Sequence, residues 1–451
     1  VLPSITGQYL ARYQRLGDAG DPAAALLPVT GAQRRFLLVR ALDPAGRADI
    51  VPMFFAFPRG TVDPARLRAA AGHLAARHPV LRSQPCVVRG TPVLRPQPAE
   101  VPLEHVARAP GESAEDALRR TLADWAAQGP PLRLFLAAGG AEGAAHQGAR
   151  DASRNAPHDA TRADEELLAV VLDHTACDGQ SLARIVEELG AAYRDRLGPD
   201  DLSPAEAAAE LAAYRDAVLR QLDAEDRAAS PRALAYWGDR LRTAHEQAPL
   251  PRKRSISDEL PSGAAESRIP SPVGGVPFPA LLDACRAAAG ALFGTGPVSP
   301  IGYPWGGRPA GAEPVLGCFL NTVVFPADTG AATAPEITAT DWWDDLDRAD
   351  TPFDEVVRAA RAGGSAWSGR LDGLLTVDDS RHRTPLALGA TPGREVHIGG
   401  RQVRAPFAVS ATQGPELHLR MVWDRMVLDD AAAEDAFAAL RGALPAEAPA
   451  H

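Results

Sequence analysis

The spacing of apolar positions along the chain switches repeatedly between two periods. Continuous or alternating apolar runs predict strands over 51–57 (VPMFFAF), 132–137, 167–172 (LLAVVL), 317–325, 371–378 and 417–423. Between them the spacing lengthens and predicts helices over 8–16, 114–128, 181–195, 278–293, 354–362 and 431–444, and across most of 204–245. Another helix has the clearest start: Asp63 stands as its cap and Pro64 takes its first position, with Leu67, Ala70, Ala71 and Leu74 on one stripe. Short strands around Val87-Val88 and Val93-Leu94 fill 80–106, and 29–40 reads as a mixed segment. Two stretches carry no period. Residues 138–164, rich in Gly, Ala, Asp and Arg, predict a surface insertion, and 246–277, rich in Pro, Ser and Gly, a second loop region. Strands and helices thus alternate in two blocks without repeats. An α/β (α+β) chain of two lobes is expected, the first over 1–200 and the second over 201–451.

Length agrees, because 451 residues are too many for one hydrophobic core and enough for two. No apolar run approaches a membrane span, and Val1-Leu2-Pro3-Ser4 has neither the basic nor the apolar region of a secretory signal. The start also lacks an initiator Met, as in a chain processed or excised from a longer one, while the compact ends favour a free-standing enzyme. A net charge of −10 argues against nucleic acid as the main partner, since phosphate binding needs a basic face. The run Arg252-Lys253-Arg254 beside Pro251 reads as a solvated loop. Cys86, Cys177, Cys285 and Cys318 are widely spaced with no CxxC pair, so neither a metal site nor a disulfide framework is expected, and a reducing cytoplasm fits.

Candidate chemistry concentrates in LLAVVLDHTACDGQSLARIVEEL, residues 167–189. An apolar strand ends in Asp173-His174, a helix begins near Ser181, and Asp178 and Gly179 lie between. A strand end holds a side chain rigidly while the following loop supplies free N–H groups. A neutral imidazole at such a place takes a proton from an amine or hydroxyl. Gly179 would let a substrate approach the backbone, and Ser181 would cap the helix. A lone histidine at a strand end is more often a satisfied structural residue than a catalyst, so the context decides.

That context resembles the condensation domains of nonribosomal peptide synthetases, whose signature is two histidines followed by xxxDG. His174, Asp178 and Gly179 match the second histidine, the aspartate and the glycine, and Asp173 stands in place of the first histidine. Further segments resemble the family's other blocks, in order. Thr30 to Phe36 (TGAQRRF) is similar to S-x-A-Q-x-R, and Arg77 to Arg82 (RHPVLR) to R-H-E-x-L-R. Ala213-Tyr214-Arg215-Asp216 and Tyr236-Trp237 look like the Y-x-D-Y and YW positions. Gly307-Arg308-Pro309 and Gly317 to Thr322 (GCFLNT) look like the GR and G-x-F-V-N-T segments, and Thr351 to Asp354 (TPFD) is close to D-x-P-F-E. Val422-Trp423-Asp424 resembles the last core strand. The likeness covers roughly 28–440. The R-D-x-S-R-N-P block is degraded, with both Asp379-Ser380-Arg381 and Ser368-Gly369-Arg370 resembling it, and the stretch before Gly307 is short of one helix.

The resemblance implies two lobes like CoA-dependent acyltransferases, arranged as a V with the active site at their junction. It implies peptidyl or acyl carrier proteins as partners, which deliver phosphopantetheine thioesters, and an amine or alcohol acceptor, free or carrier-bound. The enzyme itself would bind no cofactor or metal, and no nucleic acid or membrane. His174 and Gly179 would be catalytic, the first orienting or deprotonating the nucleophile and the second donating to an oxyanion. Asp178 and Arg308 would pair as a brace across the junction, and Asn321 would fix backbone near the tunnel. Asp173, Asp178 and Ser181 also spell D-x-x-x-x-D-x-x-S, the signature of the related heterocyclization domains. The retained His174 favours plain condensation. Ring formation, or a non-catalytic docking module of the same fold, is the alternative.

Overall fold

A computed structural model describes residues 3–18, 26–43, 49–125, 128–138, 164–251, 260–272, 275–312, 314–330, 335–380 and 384–444. The expected insertion, apart from its end residues 138 and 164, lies outside them, as do the 252–254 basic run and Arg381. The first part of the chain runs α1 (Ile5–Asp18), α2 (Gly31–Leu42), β1 (Ile50–Pro58), α3 (Pro64–Arg77), β2 (Ser83–Val88), β3 (Thr91–Pro96), β4 (Leu103–His105), α4 (Ala114–Ala123), β5 (Leu132–Ala138), β6 (Glu165–Asp173), α5 (Gly179–Asp195) and α6 (Pro204–Ala228). It continues through α7 (Pro231–Arg240), β7 (Ser262–Pro270), α8 (Phe278–Phe293), β8 (Val298–Trp305), β9 (Asn321–Asp328), α9 (Pro335–Leu346) and α10 (Phe353–Ala362). Last come β10 (Gly373–Asp379), β11 (Ala387–Leu388), β12 (Thr391–Pro392), β13 (Arg394–Val396), β14 (Phe407–Gln413), β15 (Glu416–Asp424) and α11 (Asp430–Gly442). Among the described residues no helix is long and apolar enough to cross a membrane.

The first sheet has the order β13-β1-β6-β5-β4. Its middle strand, β6, explains the unbroken run LLAVVL, because both faces are covered. Leu168, Val170 and Leu172 enter a core with Leu67 and Leu74 of α3 and Ile185 and Leu189 of α5. Leu167, Ala169 and Val171 meet Leu118 and Leu122 of α4 on the other side. Helix α6 lies beyond residue 200, yet its Tyr214, Ala217, Val218 and Leu222 are buried in the first core.

The second sheet has the order β7-β15-β14-β10-β8-β9 and packs on α8 and α11 around Trp237, Trp367 and Trp423. Here several expectations change. The loop expected over 246–277 contains strand β7, paired along its whole length with β15. Its sequence, SGAAESRIP, carries almost no apolar side chains, since Gly263 must leave room for the Trp423 indole. The strand expected from residue 317 begins at Asn321, because 317–320 turn away to meet the loop after β6. The mixed segment 29–40 is helix α2, started by a capping box between Thr30 and Gln33, and the helix expected to Gln128 stops at Ala123.

The halves are tied by a return of the chain. After β10, Leu386 and Leu388 join the first core, and β13 pairs with β1 through Phe54 and Val396. Gly190 of α5 permits this passage, as a Cβ there would lie 3.1 Å from the Ala387 carbonyl oxygen.

The Arg77 to Arg82 block holds α3 against α5. His78 is fully buried, with Nε2 at 2.6 Å from Glu188 Oε2, and Arg184 Nε donates to the other oxygen at 2.6 Å. Burial pushes the Glu188 carboxyl up, but His78 and Arg184 outweigh it and bring the group down to about 2. A depressed carboxyl adds stability above its unfolded value near 4.5, and that stability is lost as pH falls towards 2. Glu188→Gln should therefore cost about 1–3 kcal/mol at neutral pH. Denaturant titrations of both proteins should converge as the pH is lowered, because protonation removes the same interaction from the parent.

Candidate active site

Strand β6 delivers its last residues under tight control. The Asp173 N–H donates to the Pro131 carbonyl at 2.7 Å and the His174 N–H to the Asp49 carbonyl at 2.8 Å, so both neighbouring strand ends pin the strand exit. The two side chains then part. Asp173 Oδ1 accepts from the Thr175 N–H at 3.0 Å and the Thr175 hydroxyl at 2.7 Å, capping a single helical turn over 174–176. Its Oδ2 accepts from Arg40 Nη2 at 2.8 Å. His174 instead lines a cavity of about 1590 Å³, and its ring rests on Phe36 of α2 with centroids 4.6 Å apart. Asp173 is not among the residues lining that cavity.

Asp178, rather than the expected Ser181, is the N-cap of α5, because its Oδ1 accepts from the Ser181 N–H at 3.0 Å and the helix starts two residues earlier, at Gly179. Its Oδ2 accepts from Arg308 Nη1 at 2.8 Å and from the Phe319 N–H at 3.0 Å. The Arg308 guanidinium also donates to Ser181 Oγ at 2.8 Å and to the Val315 carbonyl at 3.1 Å, and its side chain is 5% exposed. Ser181 accepts from the Gly317 N–H at 3.1 Å, so Asp178 and Ser181 together hold the segment 308–319. Gly179 opens α5 from the cavity wall, and a Cβ there would meet nothing within 4 Å. Its N–H belongs to the first helical turn, which has no intrahelical acceptor.

Asn321 sits at the start of β9. Its Nδ2 donates to the carbonyls of Ala349 and Thr351, both at 2.7 Å, while Oδ1 accepts from the Phe353 N–H at 3.1 Å. It thus fixes the segment entering α10, which places the Phe353 ring under the Arg35 guanidinium at 3.4 Å. Gln33 is a further brace that the sequence did not single out. Its buried Nε2 donates to the Thr175 carbonyl at 2.7 Å and the Tyr214 hydroxyl at 3.1 Å, tying α2 and α6 to the turn after His174. Phe36 and Arg40 were missed as well. Nothing in a short polar-apolar helix marks which face meets a catalytic loop.

Arg404 lies over the Phe36 ring at 5.0 Å and pairs with Asp49 at 3.2 Å. Burial pulls the Arg35 guanidinium down to about 10, with Asp354 opposing that fall and Arg404 adding to it. Cys177 and Cys318 flank the same loop, and burial pushes both thiols up, so neither offers a thiolate near neutral pH. Among the described residues no group of His, Cys, Asp and Glu is arranged to hold a metal ion. The arrangement therefore offers one imidazole and one open backbone N–H in a large cavity, with the Asp178 carboxylate in its wall and that of Asp173 outside the lining, both held by structural donors.

Comparison with known proteins places this geometry. No protein-family model matches the sequence. A probable non-canonical nonribosomal peptide synthetase, CymA of Salinispora arenicola, is 30% identical over 344 residues, 70% of this chain but only 4% of CymA. The chain thus spans a small part of that relative. Among solved structures, the X-domain of teicoplanin biosynthesis in its complex with OxyB superposes with a TM-score of 0.65 at 18% identity, covering 93% of this chain and 92% of that one. The first condensation domain of the calcium-dependent antibiotic synthetase, solved with a substrate analogue, gives a TM-score of 0.63 at 16% identity, covering 93% and 95%.

The Asp178–Arg308 contact generates a stability test. Both side chains are desolvated, at 0% and 5% exposure, so removing one strands the other. Asp178→Asn or Arg308→Met should each cost about 3–5 kcal/mol, and the double variant less than the sum. Urea denaturation of the four proteins in a double-mutant cycle measures the difference.

Proposed function

We propose that this chain, a member of the condensation-domain family of nonribosomal peptide synthetases, joins a carrier-tethered acyl thioester to an amine or hydroxyl acceptor. The observation that carries the reading is the division of labour at the strand end, where His174 and Asp178 both line the cavity but the Asp178 carboxylate, like that of Asp173 outside the lining, is engaged in holding the loop. The cavity is large enough for two reactants, and holding them together supplies much of the rate through high effective molarity. In the first step the acceptor attacks the thioester carbonyl as His174 takes its proton. The carbonyl becomes a tetrahedral oxyanion facing the Gly179 N–H. In the second step the oxyanion collapses, the C–S bond breaks, and the imidazolium returns the proton to the departing thiolate. An amide or ester and a free pantetheine thiol remain.

The commitments of the two carboxylates support condensation over ring closure. A dehydrating acid or base needs a free oxygen towards the adduct, and Asp173 already accepts from Arg40 and twice from Thr175. A docking role has one observation in its favour, the likeness to an X-domain solved as a complex with OxyB. The open space over Gly179 and the placement of His174 favour turnover.

His174→Ala should lower the rate about a hundredfold or more without loss of fold. Gly179→Val should also slow the reaction while leaving stability nearly unchanged, because the new side chain enters empty cavity rather than packed core. Both are tested with acyl-carrier thioesters offered to a panel of amines, alcohols and cysteine, with products identified by mass. A product one water lighter than the simple amide or ester would establish heterocyclization instead. Absence of any product, with carrier or enzyme partners still bound, would establish the docking role.

A further inference from the structure

We infer that Arg40 is a positioning residue that sets the proton affinity of His174 by neutralising Asp173. The inference rests on His174 acting as the base. The carboxylate of Asp173 is 7% exposed and immediately precedes the imidazole in the chain. A buried negative charge so near stabilises imidazolium and withdraws the neutral form that a base requires. Arg40 Nη2 meets that carboxylate at 2.8 Å from one turn along α2 after Phe36, so one helix supplies both the ring under His174 and the counter-charge to its neighbour.

The surrounding charges make Arg40 decisive. Asp49, whose carbonyl receives the His174 N–H, has Arg404 at 3.2 Å. Asp178 has Arg308 at 2.8 Å, and Asp354, on α10, faces Arg35. Arg133 of β5 also faces Asp173, but its guanidinium is stacked on Trp125 and donates to the Gln128 and Pro130 carbonyls. Burial holds the nearby Cys177 thiol neutral. Asp49, Asp178 and Asp354 thus each face a guanidinium, and loss of Arg40 would take from Asp173 the guanidinium in salt-bridge contact with it, leaving Arg133 and Arg404 to face it. The sign follows directly. Without Arg40 the imidazole should hold its proton to higher pH, and without Asp173 it should lose it at lower pH.

The test uses the full chain labelled with ring-¹³C histidine, the His174 signal being the one missing in His174→Ala. Titration by NMR needs no substrate, so a failure of the condensation reading does not affect it. In Arg40→Gln the His174 titration should move up by about one pH unit. In Asp173→Asn, which keeps an acceptor oxygen for Thr175, it should move down, and in the double variant it should return to the parent value. Where the condensation assay gives turnover, the acidic limb of the rate profile should move with the NMR titration. The rate of Arg40→Gln would fall about tenfold below the limb and approach the parent on the plateau. A purely structural Arg40 would lower the rate equally at all pH and leave the titration in place, and that result would overturn the inference. If Arg40→Gln does not fold, Asp173→Asn decides alone, since an unmoved titration there is equally fatal.

Discussion

The architecture around the cavity depends on one buried carboxylate, that of Asp178. It satisfies two requirements at once. As the cap of α5 it takes up an N–H that the first helical turn leaves without an acceptor, and so fixes where the helix begins and where Gly179 faces. With its other oxygen it receives Arg308 and the Phe319 N–H, fastening a segment more than a hundred residues away to the same turn. A charge at 0% exposure is tolerable only with this full set of donors, because desolvation would otherwise exceed the Coulombic gain. The loop that carries His174 and Gly179 is therefore held from both sides by hydrogen bonds to one carboxylate.

Legibility in the sequence followed how locally each function is encoded. His174, Asp178 and Gly179 were readable together because they match one short family signature at a strand exit, although the cap of the following helix was expected at Ser181 and lies at Asp178. The Asp178–Arg308 contact was readable only from the family likeness, since nothing in an isolated Gly-Arg-Pro points to a partner. Helix α2 was opaque for a physical reason. Gln33 is its single fully buried residue, Leu38, Val39 and Leu42 are exposed, and Phe36 and Arg40 serve the loop after β6 rather than a core stripe. Strand β7 was hidden because Gly263 gives its space to the Trp423 indole and most of the remaining residues are partly or fully exposed, which removes the hydrophobic signal on which strand reading relies. Residues 317–320 looked like strand because they are apolar, but Gly317 and Phe319 leave the sheet to meet Ser181 and Asp178.

The charges around His174 show a similar economy. Asp49, Asp178 and Asp173 each face an arginine drawn from a different part of the chain, so each acidic residue that shapes the loop has a counter-charge in contact. Two of those arginines also cover aromatic faces, Arg404 over Phe36 and Arg308 over Phe319, which spreads their charge over ring surface while keeping their N–H groups aimed at oxygen.

The return of β13 to the first sheet has a consequence for how the protein is made. Strand β1 is among the earliest strands to leave the ribosome, but its outer edge is covered only when Arg394–Val396 arrive. Until then the growing chain carries an unpaired edge beside the apolar strand pair β1 and β6, the kind of template on which chains join one another. The contact is also among the most distant in sequence that the fold makes, and closing it late places it among the slow steps of folding. The first half of the chain, released alone, would thus carry a sheet with an open side, and the segment Arg394–Val396 acts as its seal.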